Sequence, residues 1–122
     1  MSSPLSTADV ASAFTALLKA GDHHGAAMQF NAPDIVSIEA MEGPMSRCEG
    51  AEAVQAKGAW WYANHTIHAV NTEGPFVNGN RFAVIFDMDF TVNATGVRTA
   101  DSREVALYTV KDGKIVEEMF MY

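Results

Sequence analysis

Two glutamates near the C-terminus interrupt strand patterns that are otherwise apolar. Side chains two residues apart lie on the same face of a strand. Glu104 therefore shares a face with Tyr108, and Glu118 shares one with Phe120 and Tyr122. A carboxylate on an apolar face needs a partner or has a raised pKa, and such groups are candidate general bases. We predict that Glu104 and Glu118 are the catalytic carboxyl groups of any reaction, with Tyr108 or Tyr122 as a proton donor.

Histidines offer a second kind of candidate base. His65 and His68 are three residues apart in a predicted strand, so they face opposite sides, and one of them lies beside the run Trp60-Trp61-Tyr62. A histidine in that position titrates near neutral pH, and His65 is our candidate for the helper base. The spacing leaves open which histidine and which tryptophan face inward.

The histidines do not predict a metal site. Metal binding needs three or four converging ligands, whereas His65 and His68 point apart. The adjacent His23 and His24 begin a predicted helix, where we expect them to be solvated. We therefore predict no metal, and we expect any chemistry to be free of cofactors.

Alternating large apolar residues predict the inner wall of a curved sheet. In residues 82–92, Phe86, Met88 and Phe90 share the face that we expect to lie toward the helices. A long sheet curled over short helices leaves a cavity at its open end, and cavities lined by aromatic and Met side chains hold small apolar ligands. The predicted wall consists of Phe14, Trp60 or Trp61, Phe86, Met88, Phe90, Tyr108, Phe120 and Tyr122.

The elements that position these residues change from helices to strands along the chain. The predicted helices cover residues 6–20, 22–31 and 50–63. The predicted strands cover residues 35–38, 65–73 with 76–78, 81–93, 102–111 and 115–122. Segregated helices and strands indicate an α+β fold. We expect a single domain over residues 1–122, with three N-terminal helices packed into a strongly curved, mostly antiparallel sheet.

Composition excludes several classes of partner. The chain has 122 residues and a net charge of −7, with no cluster of Lys and Arg. Nucleic-acid binding and attraction to anionic membranes both need a basic surface, so we expect neither. The single cysteine, Cys48, excludes an internal disulfide. The N-terminus lacks the pattern of a signal peptide and no apolar run is long enough to span a membrane, so we expect a cytoplasmic protein.

The last predicted strand suggests an oligomer. One of its faces carries Phe120 and Tyr122, and the other carries Ile115, Met119 and Met121. An uncovered apolar face on a monomer is a large exposed patch. We therefore expect a homodimer that forms through the outer face of the sheet.

Four segments resemble the SnoaL-like branch of the NTF2-like superfamily, which has the ketosteroid-isomerase-like fold. They are Ala-Phe-Thr-Ala-Leu-Leu-Lys-Ala-Gly-Asp (13–22), Ala-Pro-Asp-Ile-Val (32–36), Gly-Ala-Glu-Ala-Val (50–54) and the stretch 108–122. The resemblance spans nearly the whole chain and implies a cone-shaped α+β domain. It does not imply one activity, because a fold of this kind hosts many functions.

The resemblance also shows which catalytic groups are missing. The aspartate base of ketosteroid isomerase falls on Ala40, its oxyanion-hole tyrosine on Phe14 and its protonated aspartate on Ala106. Standard ketosteroid isomerase chemistry needs these groups, so we do not expect it here. A base displaced to Glu39 or Glu42 is an alternative.

Two functions therefore remain open, and the sequence does not decide between them. In the first, the protein is a cofactor-free isomerase, cyclase or hydrolase-type enzyme that acts on a small hydrophobic polyketide-, steroid- or aromatic-like molecule. SnoaL-like cyclases pair an aspartate with a histidine, and the counterpart here is Glu104 or Glu118 with His65 or His68. In the second, the protein binds such a molecule without turnover or acts as a dimerisation module.

Overall fold

The computed structural model describes residues 4–122, which form three helices and six strands. The helices are Thr7–Lys19 (α1), His23–Phe30 (α2) and Ala51–Asn64 (α3). The strands are Asn31–Ile38 (β1), Arg47–Glu49 (β2), His65–Asn78 (β3), Arg81–Val92 (β4), Arg98–Lys111 (β5) and Lys114–Met121 (β6). Within this range, no helix is long and apolar enough to cross a membrane.

Helix α1 begins and ends where its sequence predicts. The Ser6 side chain accepts a hydrogen bond of 3.1 Å from the backbone N–H of Asp9, which satisfies one free donor of the first turn. Val10, Phe14 and Leu18 recur every four residues and are buried, so this face of the helix packs on the sheet. These contacts confirm the predicted amphipathic helix.

One sheet contains all six strands, in the order β2-β1-β6-β5-β4-β3. Its neighbouring strands are antiparallel except for β1 and β6, which run parallel. The prediction of a curved, mostly antiparallel α+β sheet is therefore confirmed. The expected block of three N-terminal helices is only partly right, because β1 and β2 lie between α2 and α3 in the chain and β1 joins the sheet beside the last strand.

A bulge in β6 corrects the predicted orientation of one residue. Thr109 faces Glu117 across the strand pair, but the next residue, Val110, faces Ile115, so one residue of β6 is unpaired. A bulge of this kind reverses the simple alternation of side chains. Ile115 is consequently completely buried in the core, whereas alternation alone places it on the outer face with Glu117.

Aromatic side chains fill the interior between α1 and the sheet. The Phe14 ring contacts the rings of Phe30, Phe82 and Tyr108 edge to face, with centroid distances of 6.1, 5.9 and 4.9 Å. All four side chains are less than 5% exposed. Each such pair adds about 1 kcal/mol beyond the burial of its area, so this end of the domain is closed core.

One buried hydroxyl in this core has no partner. The Thr15 side chain is 1% exposed and its Oγ1 makes no hydrogen bond within the described residues. A buried hydroxyl without a partner costs roughly 1–3 kcal/mol. We expect Thr15→Val to raise the free energy of unfolding by about 1 kcal/mol, measured by urea titration.

Thr15→Ser is the matched control, because it keeps the hydroxyl and removes the methyl group. Loss of a buried methyl group destabilises by about 1 kcal/mol, so the two variants should shift in opposite directions. A lower stability for T15V than for wild type would contradict the absence of a partner.

Candidate functional site

Neighbouring strands bring several polar side chains together on the inner face of the sheet. Glu118 of β6 pairs with Ser37 of β1 on one side and with Tyr108 of β5 on the other. Glu104 lies two pleats along β5 from Tyr108 on the same face, opposite Phe86 of β4. We call the resulting group the acid cluster. It comprises Ser37, Glu39, Lys57, Glu104, Glu118 and Tyr122.

Lys57 of α3 provides the positive charge of the acid cluster. Its Nζ lies 2.6 Å from Oε1 of Glu39 and donates a 2.8 Å hydrogen bond to Oγ of Ser37. The ammonium group also lies 5.1 Å from the centre of the Phe120 ring, a distance typical of a cation–π contact. The side chains of Lys57 and Glu39 are only 12% and 22% exposed, so this ion pair is largely shielded from water.

Tyr122 extends the ion pair toward the chain end. Its hydroxyl donates a 3.0 Å hydrogen bond to Oε2 of Glu39. Both carboxylate oxygens of Glu39 are therefore engaged, one by Lys57 and one by Tyr122. This arrangement leaves Glu39 as a structural counter-ion of Lys57 and makes it a poor candidate for a displaced base.

Glu104 is the carboxyl group with the most unusual environment. Burial raises its pKa to about 7, and the charges of Glu39 and Glu118 add to this effect while Lys57 opposes it. Within residues 4–122 its side chain takes part in none of the hydrogen bonds or ion pairs described for the protein. A carboxyl group with a pKa near 7 exists in both protonation states at neutral pH, which suits proton transfer.

Glu118 and Tyr108 complete the buried titratable groups. Burial raises the pKa of Glu118, whereas a hydrogen bond from Ser37 and the charge of Lys57 lower it. Burial also raises the pKa of Tyr108 well above its ordinary value, assisted by Glu118 and Glu104. Tyr108 therefore keeps its proton at neutral pH and is a hydrogen-bond donor beside two carboxyl groups.

The predicted histidine lies apart from the acid cluster. The His65 ring stacks on the Trp61 ring with a centroid distance of 4.3 Å, and Nδ1 lies 2.7 Å from the Trp61 carbonyl oxygen. The Phe90 ring contacts His65 at 5.5 Å. His68 is exposed and bonds to Thr91. The structure thus turns His65 rather than His68 inward, into an aromatic cluster with Trp61 and Phe90.

The same cluster distinguishes the two tryptophans. Trp60 is 49% exposed, while Trp61 is half-buried between His65, Tyr62 and Phe90. The expectation that His23 is solvated is wrong for a related reason. Its ring lies 6.2 Å from the Tyr62 ring and 6.1 Å from the Phe86 ring, and burial lowers its pKa.

The residues of the predicted pocket wall separate into two groups. Phe14, Phe86 and Tyr108 are less than 7% exposed and belong to the core. The others, at the open end of the sheet, are half-buried or exposed, namely Trp60, Trp61, Met88, Phe90, Phe120 and Tyr122. Two surface grooves, of about 510 and 390 Å³, lie elsewhere, beside Pro33 and Glu52 and beside Leu18 and Val70.

Two members of the acid cluster, Ser37 and Lys57, were not predicted from sequence. Both had a local signal. Ser37 follows buried Ile35 by two residues in β1, so alternation places it inward. Lys57 lies three residues after buried Val54 and four before Trp61, a spacing that puts all three on one helix face.

The described residues 4–122 contain no group of three or more His, Cys, Asp or Glu side chains arranged to hold a metal ion. The positions that carry catalytic groups in ketosteroid isomerase are apolar here. Phe14 and Ala106 are buried in the core, and Ala40 is exposed.

The raised pKa of Glu104 predicts a pH-dependent stability. Its pKa is 4.5 in an unfolded chain and about 7 in the folded protein. Between these values the folded protein holds a proton that the unfolded chain has lost, so this contribution to stability falls as pH rises. Above pH 7 Glu104 costs up to about 3 kcal/mol. We expect Glu104→Gln to be more stable than wild type at pH 8, with the difference vanishing near pH 4.5.

Urea unfolding of wild type and E104Q across this pH range measures the effect. Glu117→Gln is the control, since Glu117 pairs with Thr109 on the outer side of the same sheet. A stability difference between E104Q and wild type that does not change with pH would contradict the raised pKa.

Known proteins share both the sequence pattern and the fold. The family model of the SnoaL-like domain matches residues 5–122. A candidate SnoaL-like polyketide cyclase from Mesorhizobium loti is 52% identical, with a TM-score of 0.94 over 97% of this chain and 100% of that chain. No protein with a curated description matches significantly.

More distant structures share the fold alone. A candidate SnoaL-like polyketide cyclase from Jannaschia is 19% identical, with a TM-score of 0.75 over 99% of this chain and 89% of that chain. A Catenulispora acidiphila protein with a ketosteroid isomerase-like fold, solved with trimethylamine, is 15% identical, with a TM-score of 0.70 over 91% and 82% of the two chains. The resemblance deduced from sequence is confirmed, and the chain belongs to the SnoaL-like family with the NTF2-like, ketosteroid-isomerase-like fold.

Proposed function

We propose that the protein catalyses cofactor-free proton transfer on a small hydrophobic carbonyl compound, with Glu104 as the general acid–base group. The observation that carries this proposal is the environment of Glu104, a carboxyl group among apolar side chains with a pKa of about 7 and no bonded partner in the described residues. Because its pKa is close to neutral pH, such a carboxyl group can both accept a proton from carbon and donate it again.

Tyr108 supports the same reaction. When a base removes the proton next to a carbonyl group, negative charge develops on the carbonyl oxygen and needs a donor. The Tyr108 hydroxyl keeps its proton, because burial raises its pKa, and it lies on the same strand face as Glu104. In this scheme Glu104 takes the proton from carbon, Tyr108 donates a hydrogen bond to the enolate oxygen, and Glu104 returns the proton at a new position.

The surroundings favour an uncharged, apolar substrate. Phe120 and Phe86 flank the carboxyl groups, and the aromatic cluster of Trp61, His65 and Phe90 continues the apolar surface. An anionic ligand would meet three carboxyl groups and one lysine that is already paired. The Mesorhizobium loti relative is described as a candidate polyketide cyclase, and ring closure of a polyketide begins with the same removal of a proton beside a carbonyl group.

A non-catalytic binding function is the alternative. It is favoured by the apolar residues at the three positions that carry catalytic groups in ketosteroid isomerase, Phe14, Ala40 and Ala106. In that case the open end of the sheet holds the same kind of apolar molecule, and Glu104 contributes only a hydrogen bond. The two functions differ in whether bound ketone exchanges its protons.

The exchange of protons beside a ketone tests the proposal directly. We expect the protein to accelerate incorporation of deuterium from D₂O into α-tetralone and cyclohexanone, followed by NMR, with a rate that rises through pH 7 as Glu104 ionises. Glu104→Gln should reduce the protein-dependent rate about 100-fold or more, the usual contribution of a general base.

Glu117→Gln is the matched control and should exchange at the wild-type rate, because Glu117 is on the outer side of the sheet. Binding of these ketones without accelerated exchange would overturn the catalytic proposal and leave the binding function.

The outer face of the sheet supports a homodimer. An apolar row crosses five strands there, because each of its members pairs with the next across the sheet. The row consists of Ile38, Met119, Leu107, Ala83 and Phe76. Phe76 is 51% exposed, so a second copy of the chain would remove a large apolar surface from water.

A charge in the middle of this row should break the dimer. We expect wild type to elute as a dimer in size-exclusion chromatography with light scattering, and Leu107→Glu as a monomer, since a buried unpaired carboxylate strongly opposes association. Met28→Glu, at an exposed position of α2, is the control and should remain dimeric. A monomeric wild type would overturn the interface.

A further inference from the structure

We propose that Lys57 and Ser37 are positioning residues that divide the roles of the two inner glutamates, holding Glu118 as the ionised group and leaving Glu104 as the group that exchanges its proton. This inference rests on the proposed function of Glu104. It adds the interactions that make Glu104, rather than the more deeply buried Glu118, the reacting carboxyl group.

The direction of the hydrogen bonds follows from the chemistry of the groups. A lysine ammonium has three donors and no acceptor, whereas a serine hydroxyl has one donor and two acceptor lone pairs. Lys57 Nζ lies 2.8 Å from Ser37 Oγ, so the serine oxygen must accept there. Ser37 faces Glu118 across the β1–β6 pair, so its hydroxyl proton is directed to the Glu118 carboxyl group, and a hydrogen bond from Ser37 lowers the pKa of Glu118.

This chain of donors favours a charged Glu118. A hydroxyl that must donate stabilises a carboxylate more than a neutral acid. Ser37 is completely buried, so no water competes for its proton. The order Lys57 to Ser37 to Glu118 thus carries the influence of the ammonium group to a carboxyl group on β6, the strand that pairs with β1.

Glu104 lies outside this chain of donors. Its side chain has no hydrogen bond within the described residues. Lys57, the ammonium group whose charge acts on it, is already paired with Glu39. Two neighbouring carboxyl groups cannot both ionise readily in a buried site. A charged Glu118 therefore raises the pKa of Glu104, so that Glu104 is the group that gains and loses a proton near neutral pH.

The other titratable groups around the site do not provide Glu104 with a hydrogen-bond or ion-pair partner within the described residues. They come from α2, α3, β5 and the residues that follow β1 and β6. These groups are His23, Glu39, Lys57, Tyr62, Tyr108 and Tyr122. Glu39 is engaged by Lys57 and Tyr122, and His23 is in contact with the rings of Tyr62 and Phe86.

Ser37→Ala removes the middle of the chain of donors and retains the ion pair of Lys57 with Glu39. Titration of the glutamate side-chain carboxyl carbons by ¹³C NMR, with Glu104 and Glu118 assigned through E104Q and E118Q, measures the outcome. We expect the midpoint of Glu118 to rise in S37A and that of Glu104 to fall, because the proton moves from one group to the other. Lys57→Met removes the first donor and should also raise the midpoint of Glu118.

Thr15→Val is the control, since it removes another buried hydroxyl in the same domain, and it should leave both midpoints unchanged. The inference would be overturned if the titration midpoint of Glu118 stayed unchanged or fell in both S37A and K57M. The titration needs no substrate, so it separates failure of this inference from failure of the proposed reaction. If ketone exchange is absent while the midpoints move as expected, the division of roles stands and only the catalytic use of Glu104 fails.

Discussion

The parallel pairing of β1 with β6 is the constraint on which the candidate site depends. It joins Ser37 to Glu118 and Ile38 to Met119, residues about eighty positions apart in the chain, and it is the only parallel contact in the sheet described for residues 4–122. Without it, Ser37 and Glu39 would have no fixed position relative to the carboxyl groups of β5 and β6. Lys57 would then lose the two groups that accept its hydrogen bonds, Ser37 and Glu39.

Burial of the charged groups of the acid cluster destabilises the fold, and packing in the rest of the domain offsets this cost in free energy. The acid cluster holds three carboxyl groups against one ammonium group, and an unpaired buried charge destabilises a protein by several kcal/mol. The core beneath α1 has no such cost, because Phe14, Phe30 and Phe82 pack there and carry no titratable group. The domain thus combines a filled core that stabilises the fold with an open end of the sheet, where burial raises the pKa of Glu104 and Glu118.

Sequence reasoning succeeded where one strand or helix decides the outcome. Alternation along β5 and β6 was enough to place Glu104 and Glu118 on the face of Tyr108 and Phe120. It failed where two elements decide together. The bulge that turns Ile115 inward depends on the register with β5, and the role of Ser37 depends on a partner strand at the other end of the chain. The choice between His65 and His68 also depends on two elements, because the stacking of His65 on Trp61 arises at the junction of α3 and β3.

The inner acidic group of β5 lies at a different position from the one that the resemblance to ketosteroid isomerase indicates. The resemblance places that enzyme's protonated aspartate at Ala106, and Glu104 lies two residues earlier on the same face of β5. Two residues of strand span about 7 Å, so the acidic group has moved along one strand toward the open end. The position it left is filled by Val84, Ala106 and Phe120. The acidic group of this chain therefore lies nearer the open end of the sheet than that position, on the same inner face as Glu118 and Tyr108.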